Sequence, residues 1–255
     1  MLVVRNIVAI ASSLVTALSL LAFVFGPSLI IVPAAIISLI SAIGASLFVT
    51  GREVSQLDRV MLGAPNVLAL TGVLGLLLFV ESGLVRFVIV IFISVLQSAY
   101  LTHLFFFLHV PSRYVPQTLQ TVVSFLQLLA IFSLSTATFG LILMTRISLL
   151  ILLPIYALFG GIMLYHTLWV AKLPEDRARK LTFLGTMMLL QIVGACIFLP
   201  TSLYVNGAIV TLTAYALFFV FQVSPADPHL LKTSKRATLL ATGLFAILLL
   251  SAPWK

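Results

Sequence analysis

Acidic side chains are scarce in this chain. Only 6 of its 255 residues are Asp or Glu, against 14 Lys or Arg, and the charged types together make up 8%. A soluble domain carries roughly 25% charged residues, so water is excluded as the main solvent. None of the acids falls in the middle of a long apolar run. Intramembrane carboxylates are the usual mark of proton and ion relays, and their absence argues against ion-coupled transport.

Cysteine occurs once, at Cys196, which excludes intramolecular disulfides and thiolate metal cages. The sequence also has no G-x-x-x-x-G-K-[ST] phosphate loop, no H-E-x-x-H zinc helix and no G-x-S-x-G elbow. Paired intramembrane aspartates are missing, and no lysine lies inside a late apolar run where retinal would need one. An enzymatic role is disfavoured, and no cofactor or metal is expected. Linkers longer than about 15 residues and low-complexity segments are absent too, so residues 1–255 read as a single integral membrane domain.

What the chain does have is apolar length. Hydrophobic residues make up 62% of it, in continuous runs rather than alternating patterns. Inside hydrocarbon every backbone N–H and C=O must be paired within the protein, and continuous runs achieve this as helices. With about 20 residues needed per crossing, the sequence divides into nine spans: Ile7 to Phe25, Ser28 to Val49, Pro65 to Val80, Phe87 to His109, Gln117 to Met144, Ile147 to Ala171, Leu181 to Leu199, Gly207 to Gln222 and Ala237 to Ser251. The fold class is all-α, a polytopic transmembrane helix bundle. Gly26-Pro27 and Thr145-Arg146 are its narrowest joints. The first apolar stretch exceeds the roughly 7–15 residues of a signal peptide core and is expected to remain as a span.

The charges that exist collect between the spans. With the N-terminus inside, Arg5, Arg52, Arg59, Arg113, Lys172, Arg177, Arg179, Lys180, Lys232, Lys235 and Arg236 fall on the cytoplasmic side, leaving Arg86, Arg146 and Lys255 outside. This asymmetry follows the positive-inside rule and puts the C-terminus outside. The basic residues are spread over several loops instead of forming one patch. Anionic membrane lipids are therefore the expected partners, and nucleic acid is not. Trp169 and Trp254 fall near opposite interfaces, as aromatic belts do.

A repeat is suggested by spacing. His103 precedes Pro111 by eight residues, as His166 precedes Pro174, and LFFVFQV at Leu217 resembles LFFFLHV at Leu104. Tandem two-helix hairpins in parallel are one reading, and chance similarity of apolar segments is the other.

Neutral polar residues within the runs carry the functional reading. Gln117, Gln120, Ser124, Gln127 and Thr138 recur at helical spacing, which predicts one polar face on the fifth span. Gln97, Tyr100 and His103 share a face of the fourth, and Thr211, Tyr215 and Gln222 of the eighth. Gln97, Gln127 and Gln191 all fall near mid-span. Together with His166, these residues outline a candidate polar pathway: Gln97, Tyr100, His103, Gln120, Ser124, Gln127, His166, Gln191 and Tyr215. Its bland counterpart is interhelical hydrogen bonding, in which Gln, Ser and Thr hold helices together. His103 and His166 lack a carboxylate in their spans to orient a ring for metal binding and read as packing residues. Ser38, Ala42 and Ser46 form a small-residue stripe for close packing, and Pro33 and Pro154 are candidate kinks.

The resulting expectation is a multi-pass protein of the cell membrane that binds or passes a small polar or amphiphilic molecule. Two other classes stand beside it. One is a structural or assembly subunit with a membrane protein partner or a second copy of itself. The other is a lipid-modifying enzyme using Asp58, Arg59, Glu175, Asp176 and Arg177 at the cytoplasmic face.

Overall fold

The computed structural model describes residues 2–51, 54–115, 118–145, 147–170, 173–222, 239, 242–245 and 247. Among them are eight α-helices and no strand: α1 Leu2–Phe25, α2 Ser28–Thr50, α3 Gln56–Leu77, α4 Gly83–His109, α5 Thr118–Thr145, α6 Leu149–Val170, α7 Glu175–Ile197 and α8 Leu203–Gln222, with a 3-10 turn at Pro111–Arg113. The first seven are long and apolar enough to cross a membrane, while α8 has a shorter apolar stretch, Leu203–Phe218. Of the ninth span only residues 239, 242–245 and 247 are among those described, and the rest of it lies outside them.

Both narrow joints are real helix breaks. Gly26 N–H closes α1 on the Ala22 carbonyl at 2.9 Å, and the extended Pro27 starts α2. Past Thr145, Ser148 Oγ accepts the Leu150 N–H at 3.3 Å as α6 begins. Helix starts differ from the apolar runs where polar residues cap them. α3 begins nine residues before Pro65 because Ser55 Oγ accepts the Asp58 N–H, leaving the proline inside the helix. α7 likewise extends outward to Glu175 and Asp176, whose charges suit the positive end of a helix dipole. α2 and α6 continue through Pro33 and Pro154.

The chain forms two compact units, Met1–Ala130 and Ile131–Lys255, and α5 contributes to both. In the first unit, α1 packs on α2 and α4, while α2, α3 and α4 pack on one another. The small-residue stripe of α2 makes this close approach practical, with Ser38, Ala42 and Ser46 all buried. Ser41 Oγ donates to the Ser12 carbonyl of α1 at 3.2 Å, and Asn66 Nδ2 of α3 donates to Ser46 Oγ at 3.2 Å. The opposite face of α2 exposes Leu29, Val32, Ile36 and Ile40. Small and polar inside with large and apolar outside is the pattern of helices solvated by lipid. The protein is thus membrane-embedded.

In the second unit, α6, α7 and α8 pack on one another around Leu164, Leu168, Leu189, Val193, Ile209, Val210 and Ala214. Gly207 brings α8 against the second half of α5: a Cβ there would fall 2.2 Å from Thr136 Oγ1 and 3.3 Å from the Thr136 backbone nitrogen. Gly207→Ala is expected to lower stability by about 1–3 kcal/mol through overpacking, and adding Thr136→Ala should recover much of the loss. Thermal unfolding in detergent measures both.

Candidate functional site

Most hydroxyl groups in these spans need no outside partner. A serine or threonine can return its proton to the carbonyl one turn back, as Ser13, Ser19 and Ser94 do to Ala9, Val15 and Val90. A mid-helix Gln has a longer side chain with two N–H donors and a carbonyl acceptor, and its natural partners lie on neighbouring helices.

Gln97 lies on the buried face of α4, in line with Val90, Ile93, Ser94, Tyr100, Leu101, Leu104 and Phe105. It is 1% exposed, and neither its Nε2 nor its Oε1 has a hydrogen-bond partner. Tyr100, three residues on, behaves differently: its hydroxyl donates to the Leu62 carbonyl of α3. Tyr100 is therefore interhelical glue, while Gln97 keeps its hydrogen-bonding capacity. An unsatisfied buried polar group costs about 1–3 kcal/mol, and among the described residues Gln97 is the one side chain with two such atoms; Thr16, Arg59, Ser133, Thr136, Thr182 and Thr186 have one each.

A second orphan lies on the helix packed against α4. Thr16 of α1 is fully buried and its Oγ1 has no partner either. The two helices are tied near one end, where Arg5 Nη1 approaches His109. Counting inward from that tie at 1.5 Å per residue puts Thr16 about 16 Å and Gln97 about 18 Å along their helices. α1 and α4 thus each bury, at similar depth, a polar side chain with unused hydrogen-bonding capacity and no formal charge. That chemistry suits a small neutral hydrogen-bonding molecule.

The tie has its own logic. His109 Nε2 lies 2.7 Å from the Val49 carbonyl of α2, which can only accept, so Nε2 carries the proton. Arg5 Nη1 lies 3.1 Å from Nδ1 and 2.9 Å from Nε2, and with the Nε2 proton directed at Val49 it is Nδ1 that accepts. One imidazole joins α1, α2 and α4. Gly51, with φ of 70°, ends α2 beneath it, and a Cβ there would sit 2.8 Å from Arg5 Nη2. The sequence reading gave Arg5 a topological role and His109 none. The available signal was that Arg5 is the only charge before Arg52 and that both residues close spans on the same predicted side.

The remaining predicted residues are dispersed. Gln97, Tyr100, His103, Gln120, Ser124 and Gln127 belong to the first unit, and His166, Gln191 and Tyr215 to the second. Gln120 and Ser124 are exposed near the start of α5, with Ser124 Oγ donating to the Gln120 carbonyl at 2.9 Å. Gln127 is buried, and His103 is half-buried. In the second unit His166 is buried with its ring 6.0 Å from that of Trp169, Tyr215 is half-buried and Gln191 exposed. A polar pair absent from the sequence reading appears there: Ser135 Oγ and Tyr156 OH are 3.0 Å apart and buried, joining α5 to α6.

Two of the membrane-surface carboxylates, Asp58 and Glu175, have structural partners. Asp58 Oδ2 accepts from Ser55 Oγ at 2.8 Å in the cap of α3, and Glu175 pairs with Arg179 one turn along α7. Among the described residues, no group of three His, Cys, Asp or Glu side chains is placed to hold a metal. Comparison with known protein families, curated proteins and solved structures gives no match.

Proposed function

We propose that this multi-pass membrane protein binds and passes a small uncharged polar molecule, with Gln97 as the central contact and Thr16 as its neighbour in depth. The observation that carries the reading is the Gln97 amide, buried at mid-span with both polar atoms unpaired. Supporting it is the lack of Asp, Glu, Lys and Arg from the interior of the spans, which leaves nothing to hold a charged solute. The positive-inside distribution supports an N-terminus on the cytoplasmic side of the cell membrane.

Stopped-flow light scattering of proteoliposomes challenged with urea or glycerol tests this function. Wild type should equilibrate faster than empty vesicles, and Gln97→Leu should return the rate to the empty-vesicle level. Wild-type vesicles no faster than empty ones for either solute would remove passage from the reading. A second role, as an assembling subunit, is favoured by one separate feature, an exposed amide at mid-span in α7.

A further inference from the structure

An exposed glutamine is unremarkable where water can reach it. Gln120 and Ser124 lie within the first two turns of α5, close to a membrane surface. Gln191 is placed differently. It lies eleven residues beyond Lys180, the last charged residue before the apolar part of α7, which is about 16 Å of helix. Lipid tails offer no hydrogen bond at that depth, and an exposed amide there gains by finding a protein partner.

The face around it has a clear orientation. Leu184, Met187, Met188, Gln191, Ala195 and Phe198 are exposed and recur at three- and four-residue spacing, so they form one stripe. Gly185, Thr186, Leu189, Val193 and Cys196 are buried on the opposite side, where α6 and α8 pack. Within its unit, α7 thus uses one face for the core and turns an amide outward from the other. Met187 and Met188 adapt their shape to a neighbour, and Ala195 with Gly194 permits close backbone approach. A Cβ at Gly194 would meet nothing within 4 Å.

We propose that this face of α7 pairs with α7 of a second copy of the chain, with Gln191 hydrogen-bonded to Gln191 of that copy. Two copies inserted in the same sense and related by a two-fold axis along the membrane normal hold every residue at the same depth as its counterpart. An amide carries both donor and acceptor, so it is complementary to itself, and two reciprocal N–H···O=C bonds engage the carbonyl and one N–H of each side chain. No other partner needs so little coincidence: the depth match follows from symmetry and the chemical match from the amide. The pairing is independent of any molecule held at Gln97.

Energy transfer between donor- and acceptor-labelled copies in liposomes, followed across lipid-to-protein ratio, tests the pairing. Wild type should self-associate, Gln191→Leu should weaken association about tenfold, and Gln191→Asn should retain most of it. Since residue 191 is exposed, Gln191→Leu should keep its helical content and unfolding temperature. In a Cys196→Ala background, Gln191→Cys should form a disulfide between copies on oxidation, whereas Val193→Cys on the buried face should not. Equal association of wild type and Gln191→Leu overturns the proposal, as does wild type that stays monomeric. Cross-linking of position 191 to another segment of its own chain, residues 223–255 included, overturns it as well.

Discussion

Replacing Gln97 with leucine is expected to make the protein more stable and functionally silent at once. The amide is buried with unpaired atoms, and leucine of similar size removes that penalty, so the variant should gain about 1–3 kcal/mol. Unfolding in mixed micelles would record the gain, and the proteoliposome assay should record loss of solute passage. A residue that costs stability and is needed for activity is the usual trade at a functional site. If Gln97→Leu is markedly less stable, the amide has a partner in the membrane-embedded protein that its burial conceals. In that case Gln97 is packing glue, and the binding reading loses its carrying observation.

His109→Leu should have the largest destabilising effect in the first unit. It removes both the proton given to the Val49 carbonyl and the acceptor for Arg5. Bonds involving a charged group contribute about 1.5–3 kcal/mol each, and neutral ones about 0.5–1.5, so a loss of roughly 2–4 kcal/mol is expected. Arg5→Leu should lose less on a His109→Leu background than in wild type, because the two share one interaction. A coupling near zero in that double-mutant cycle would show that the three-helix tie does not hold the unit together. Neither result depends on the identity of the solute, which separates the tie from the proposed site.

Much of the architecture was legible in the sequence because hydropathy is local. The breaks at Gly26-Pro27 and Thr145-Arg146 could be read from two residues each, and the small-residue stripe on α2 from its four-residue spacing. Helix starts were less legible where a polar cap carries the helix beyond its apolar run, as at Ser55, or where acidic residues fill its first turn, as at Glu175 and Asp176. The candidate site was legible only as an undivided set of polar residues. Gln97 and Tyr100 stand three residues apart on one helix with similar burial, yet Tyr100 has a carbonyl within reach and Gln97 does not. Gln191 shares the mid-span position of Gln97 but is exposed on its helix.

The sequence by itself determined that this chain is solvated by lipid, that it crosses as helices and that no formal charge enters the spans. Each follows from transfer free energies summed along short stretches, which need no knowledge of neighbours. Only the tertiary structure decided which polar groups are paired, which are orphaned and which face outward. Hydrogen bonding depends on the rotation and register of two helices at once, to within an ångström, and apolar composition constrains neither.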